Sequence, residues 1–288
     1  MTNNSVLPAL LVSACIASVF GYTYLSAFTK KSAKGFLVSD RLSSVPPRSP
    51  ASRSGSSFIN SIRNLNSSTR EFLVLREIEK GNVPKFLRHF VPININGSDK
   101  NGRSQRLTIW VMRDYLSVGS DKDYVRIPLT PIAARKIAED NNLMLPTSKL
   151  VDEIYRSASI HLDPISMTPG PRMASVDYIV RHNRLITKDL IEKRQLEAKS
   201  DFYLLAGHKK DVVETEQLNT RPDRVAIYGW HQNPKRVIQP LSLVHGINYV
   251  DYSHGIRFVA RDALLNGRTV DLLKLMEHPS LSSLVTYE

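Results

Sequence analysis

Four of the chain's eight histidines fall between His208 and His254, in company suited to acid–base work. GHKKDVV carries His208, Lys209, Lys210 and Asp211. IYGWHQ carries Tyr228, Trp230 and His231. VHGINYVDYSHGIR carries His245, Asp251, Ser253, His254 and Arg257. An imidazole exchanges a proton near neutral pH, and a neighbouring carboxylate can fix its tautomer and orientation. These residue types suit a hydrolase. His231 or His254 would be the general base and Asp251 its orienting partner. Lys210 or Arg257 would face the negative charge that develops in the transition state. Ser253 becomes a nucleophile only if a histidine from another loop reaches its hydroxyl, because its immediate neighbour His254 is poorly placed to do so.

His208, Tyr228, Trp230 and Arg257 are the expected binding residues, with the two rings as a platform for a sugar and the cations for anionic groups. A metal version would combine His208, His231 and His254 with Asp211 or Asp251, a donor set that suits zinc with one position left for water. No HExxH or comparable spacing accompanies it, and no cofactor is legible. Plainer readings stand beside each of these. His208 and His245 fit turns, and His231 fits a strand end bonded to backbone. Lys209 and Lys210 fit an exposed pair, and Tyr228 and Trp230 fit core positions.

These groups need strands to carry them. After Ser200 the chain becomes a series of short runs rich in β-branched and aromatic residues: FYLLAG, DVVETE, RVAIYGW, RVIQPLSLV, INYV and GIRFVA. Alternation along a strand would send Asp251 and His254 to opposite faces. They share a pocket only if the chain turns at 253–255, and Gly255 suits such a turn.

Upstream, EFLVLREIEKGNV reads as a helix stopped by Gly81, and VPKFLRHF as a second short one. VPININ and RLTIWVMRDYLSV read as strands about the turn GSDKNGR. TPIAARKIAEDNN has Thr130 as N-cap with Pro131 first in the helix, and TSKLVDEIYRSAS has Thr147 as N-cap. Residues 163–174 form a Pro-rich loop, and a longer helix is expected over roughly 175–197. The fold class is α+β: a helical N-terminal half packed on a mainly antiparallel β-sheet or small barrel in the C-terminal half.

Residues 6–28 carry no charge and are long enough to span a bilayer or to form the apolar core of a signal peptide. Lys30, Lys31 and Lys34 follow directly, and the positive-inside rule would keep that flank cytoplasmic, in conflict with export. Both sides of the membrane stay open. Residues 36–70 are dominated by Ser, Pro, Arg and Asn. The expected organisation is an anchor or signal peptide over 1–28, a basic flexible tether over 29–69 and one globular domain over 70–288.

The net charge is +12, and residues 29–106 hold 15 Lys/Arg against five Asp/Glu. Residues 107–288 hold 24 against 22, so the basic excess lies on the N-terminal side of a nearly neutral part, and nucleic acid is not an expected partner. The single cysteine, Cys15, lies in the apolar stretch, which leaves the domain no thiol nucleophile and no cysteine for zinc.

AIYGWHQ followed by YSHGIRFVARDAL resembles the catalytic stretch of the L,D-transpeptidases, the YkuD-type enzymes that cross-link cell walls. That family has a strand ending in a His–Gly step. It then has a Ser/Thr-His-Gly-Cys segment followed by an aliphatic residue, an Arg and a later Asp. Ser253, His254, Gly255, Ile256 and Arg257 match around a gap, Asp262 falls near the later polar position, and His231 would be the upstream histidine. The departures are specific. Ile256 follows Gly255 directly, so the nucleophilic cysteine is missing. Gln232 stands where glycine would follow the histidine, and the span from His231 to Ser253 is longer than in the family. The resemblance covers residues 226–264 and implies a cell-wall setting without thioester chemistry.

The expected function is therefore an exported or membrane-anchored cell-envelope domain. It would be a hydrolase using the His/Asp/Lys cluster on cell-wall, glycan or peptide substrates. The alternative is a non-catalytic envelope module that grips glycan or peptide. A third reading is a cytoplasm-facing domain whose basic stretch lies on anionic lipid.

Overall fold

The computed structural model describes residues 40–197 and 203–288. The apolar stretch 6–28 and its basic flank lie outside the described residues. No helix among those described is long and apolar enough to cross a membrane.

Helices form where the caps and apolar spacing place them. The helices are α1 (Gly55–Ser61), α2 (Ser67–Glu79), α3 (Pro131–Asp140), α4 (Ser148–Ser157), α5 (Val176–Glu197) and α6 (Leu272–Met276). The Thr130 hydroxyl accepts the amide of Ala133, and the Thr147 hydroxyl accepts that of Leu150, satisfying amides that the helix itself leaves unpaired. α2 starts earlier than the apolar pattern suggested, because Asn66 caps it through the amide of Thr69. VPKFLRHF makes one turn of 3-10 helix over Lys85–Arg88.

The hairpin of β1 (Val91–Ser98) and β2 (Ser104–Val111) belongs to a six-stranded sheet. Two short strands pair alongside it, β3 (Ser117–Gly119) with β4 (Tyr124–Arg126). The six-stranded sheet is completed by β5 (Leu143–Met144), β12 (Val259–Ala260), β13 (Asp262–Leu265) and β14 (Arg268–Asp271). A parallel pair joins β6 (Ile160–His161) to β7 (Leu205–Ala206). A second sheet runs β10 (Arg236–Ser242), β9 (Ile227–Asn233), β8 (Lys210–Val212), β11 (His254–Gly255), antiparallel except for the parallel β8–β11 pair. The chain is α+β, its helices mostly in the N-terminal and middle parts and its strands mostly later. No barrel closes among the described residues.

α4 ties the two sheets together. Leu150, Ile154 and Tyr155 pack with Ile95, Ile109 and Val259 of the six-stranded sheet. Val151 packs with Val213, Ala226 and Leu243 at the four-stranded one. α5 covers the β6–β7 pair through Ile186 and Leu190. Burying each such side chain stabilises by about 1.5–3 kcal/mol before ordering entropy is deducted.

One boundary needs correction. Residues 40–69, expected as tether, belong to the same compact unit as the rest of the described chain. Their apolar residues are few, but nearly every one is buried: Leu42, Val45, Phe58, Ile59 and Ile62. Arg88 holds the segment by donating to Asp40 at 2.7 Å and to the carbonyls of Leu42, Val45 and Pro46. Gly81, at φ +83°, lies so close to the carbonyls of Pro46 and Pro47 that no side chain fits there. Residues 40–288 hold 36 Lys/Arg and 27 Asp/Glu, so the basic excess sits largely on the folded unit. Charge placement therefore gives no ground for setting nucleic acid aside.

Candidate active site

β8 organises the chemistry. Its three residues lie between β9 and β11, with Lys210 opposite Gly229 on one side and His254 on the other, and Asp211 opposite Tyr228 and Gly255. Because side chains alternate along a strand, Lys210 and Asp211 enter different surroundings. Beside them, Trp230 adopts φ +59°, a left-handed conformation that costs a non-glycine residue on the order of 1 kcal/mol or more. Its indole N–H donates to the His208 carbonyl at 3.3 Å, and the Lys210 ammonium sits 4.8 Å from its ring centre.

The Asp211 side is a closed polar core. Asp114, fully buried, receives the Arg126 guanidinium at 2.6 and 3.0 Å, the Tyr115 amide at 2.7 Å and His208 Nε2 at 3.1 Å. Burial pushes this carboxyl up, but Arg126 and His208 outweigh it and hold it far below the usual carboxylate range. Burial lowers His208 to about 4 in spite of Asp114. The Tyr115 hydroxyl donates to Asp211 at 2.7 Å, and burial raises Asp211 to about 6. Arg257 lies over the Tyr115 ring at 4.2 Å and donates to the carbonyls of Met112 and Leu205 at 2.7 and 2.8 Å. Lys209 is buried too, donating to the Tyr252 carbonyl at 2.5 Å, and burial brings its amine down to about 7.

The Lys210 side is built differently. Asp251 Oδ1 accepts the amide and hydroxyl of Ser253 at 2.7 and 2.6 Å, and Oδ2 accepts the Tyr249 hydroxyl at 3.0 Å. The chain turns over 251–254, where the His254 amide donates to the Asp251 carbonyl at 3.2 Å. His254 Nε2 therefore faces Asp251 Oδ2, but at 3.9 Å, and neither ring nitrogen has a hydrogen-bond partner. Burial lowers His254 to about 4, so it is neutral at pH 7. Lys210, His245 and Tyr249 bound it and are half-buried, and Tyr249 stacks on His245 at 4.0 Å. The turn precedes Gly255, which has another task. A Cβ there would meet the Tyr115 ring at 2.5 Å and Lys209 Cβ at 2.8 Å. It is the point where the two environments touch.

His231 belongs to neither. Its Nε2 donates to Asp152 Oδ1 at 2.8 Å, beside the hydroxyls of Tyr228 at 2.9 Å and Tyr287 at 2.7 Å, and its ring stacks on Tyr155 at 4.4 Å. Among the described residues no hydrogen bond, ion pair or ring contact links His231 to Asp251, Ser253 or His254.

Of the expected catalytic residues, Lys210, Asp251 and His254 come together and His231 does not. Of the expected binding residues, only Trp230 adjoins them. Tyr228 is tied to Asp152, while His208 and Arg257 are buried braces. Ser253 has its hydroxyl turned to Asp251 and is fully buried, away from any nucleophilic role. The three-histidine metal arrangement does not form, since each ring sits in its own surroundings. No three His, Cys, Asp or Glu side chains converge for a metal among the described residues.

Sequence reading missed Asp114, Arg126, Asp152 and Tyr249. Asp152 was accessible in principle, lying beside Val151 at the edge of an apolar stripe. Asp114 and Arg126 meet only through the tertiary fold. Compared with known proteins, the chain matches no family model, no curated sequence and no solved structure.

Proposed function

We propose that the chain is a hydrolase whose general base is His254, oriented by Asp251, with Lys210 stabilising negative charge. The observation that carries the reading is the setting of His254: like His182 it is buried with no partner on either nitrogen, but it alone of the two lies 3.9 Å from a carboxylate and under a half-buried lysine. A group so desolvated and so incompletely bonded is costly in a core that serves packing alone.

With Nε2–H toward Asp251, Nδ1 carries the free lone pair. It takes a proton from water as the water oxygen bonds to the substrate's acyl carbon. The bond to the leaving group then breaks, and the leaving group takes that proton back from the imidazolium. The Lys210 ammonium faces the oxyanion. Both nitrogens are closed off from solvent here, so the mechanism requires the half-buried Tyr249–His245 pair to move aside and admit water.

The uncharged stretch 6–28 supports an exported or membrane-attached placement, and on the exported side cell-wall glycan or peptide is the polymer in reach. The non-catalytic alternative draws less support. Trp230 is only 6% exposed and Tyr228 is bonded to Asp152, which leaves no open ring platform from that pair.

The test uses the purified full chain with peptidoglycan-derived glycopeptides, acyl esters and short peptides, measuring new amines, acids and reducing ends. Turnover is expected, falling about 100-fold or more in His254→Asn and Asp251→Asn. No turnover on any class, or full activity in His254→Asn, overturns the reading. Saturable glycan binding without turnover selects the alternative instead.

A further inference from the structure

A cavity of about 340 Å³ opens beside the candidate site, within the size range of small-molecule pockets. It lies between α1, α2, α5 and the loop 248–250 that leads into Asp251. Its walls are mainly apolar, with Ile62, Val74, Ile127 and Ile179 among them. Tyr249 is shared: it is among the residues lining the cavity, its hydroxyl bonds to Asp251, and its ring meets the edge of His254 at 5.7 Å.

Two charged residues line the cavity, and they are not equivalent. Glu71 is engaged, its oxygens accepting the amide and hydroxyl of Thr130 at 2.7 and 3.1 Å. Arg70 gives one nitrogen to the Ala174 carbonyl at 3.0 Å, and no carboxylate among the described residues lies within ion-pair distance of it. Partial burial holds its pKa below the usual value. A guanidinium offers five donors in a planar fork that matches a carboxylate, and Arg70 uses one side-chain nitrogen, on Ala174, among the described residues.

We infer that this cavity binds the substrate of the Asp251–His254 site, and that the substrate is a small acylated amino acid or short peptide ending in a free carboxylate. The apolar body lies among Ile62, Val74, Ile127 and Ile179. The carboxylate pairs with Arg70, and the acyl bond points past Tyr249 toward His254. The inference rests on the hydrolase reading for the bond that is cut. The ligand class rests on the cavity and Arg70 alone.

The experiment titrates the full chain with N-acetylphenylalanine and, as its matched neutral probe, N-acetylphenylalaninamide, following heat of binding and the ring signals of His254. The acid is expected to bind about tenfold tighter than the amide, a preference that Arg70→Met abolishes. Val74→Phe, which fills the cavity, weakens both ligands. His254→Asn leaves binding of the acid unchanged, so failure of catalysis and failure of this site read out separately. The His254 signals shift when the acid binds. Equal affinity for acid and amide, an unaffected Arg70→Met, or binding that survives Val74→Phe overturns the ligand assignment. Binding without any His254 shift overturns the link to the site.

Discussion

Two aspartate–histidine pairs flank β8, and they are finished differently. At Asp114–His208 the two groups bond at 3.1 Å and the carboxylate also holds a guanidinium. At Asp251–His254 they stand 3.9 Å apart, and the imidazole makes no hydrogen bond at either nitrogen. His208 keeps one unpartnered nitrogen, yet everything around it is buried. His254 is bounded by half-buried Lys210, His245 and Tyr249. The contrast teaches that composition alone does not mark a site. On the proposed reading, what sets Asp251–His254 apart is open bonding capacity beside half-buried neighbours.

The strongest test of that contrast removes one partner of the closed pair. Arg126→Met should cost about 3–5 kcal/mol of stability, because it leaves Asp114 buried without its guanidinium. Asp251→Asn should cost much less, since most of its bonds are to neighbours in the same turn. Equal losses in denaturant titration would erase the distinction between brace and site.

Gly255→Ala should come next, at about 1–3 kcal/mol, because the new methyl meets Tyr115 and Lys209 where the two environments abut. A neutral result would mean that the contact yields easily and that the two halves are loosely joined.

Acid provides a third comparison. His208 and His254 have folded pKa values near 4 against an unfolded value of about 6.5. Each is neutral in both states above 6.5. As pH falls from 6.5 toward 4 the unfolded chain takes the proton first, so stability drops by up to about 1.4 kcal/mol per pH unit per histidine. Asp211, raised to about 6, works the other way between about 6 and 4 and offsets part of this. Replacing His254 with Asn should make the acid limb shallower by about one proton. An unchanged slope would contradict a buried neutral His254.

The smallest effect belongs to the rim. Lys210→Met should change stability by no more than about 0.5–1 kcal/mol, the loss of one partly exposed cation–ring contact. It should nonetheless lower turnover about tenfold or more. A large stability loss with intact turnover would reverse the roles assigned here.

Much of the fold is written locally. Thr130, Thr147 and the 176–197 stripe mark their helices because a cap or a 3.6-residue period acts within one turn. The 40–69 segment is not marked in that way. Five apolar residues suffice to bury it only because Arg88 and Gly81 supply matching surfaces from elsewhere. The site divides along the same line. Lys210, Asp251 and His254 were recognisable as types on strand ends. Their separation from His231 depends on Asp152, which lies on α4 and shares no local pattern with them. Arg126 and Asp114 are 12 residues apart and look unremarkable until the fold closes around them.

The ladder that holds this arrangement is short, three residues on β8 and two on β11, too little apolar alternation to fix its own register. Charge can do it instead. Slippage by a single residue would exchange the faces of Lys210 and Asp211, setting a carboxylate against Asp251 and an ammonium against Arg257. Both sides would then be repulsive at once, so the opposite charges of two adjacent residues serve as a key that admits one alignment of the strands.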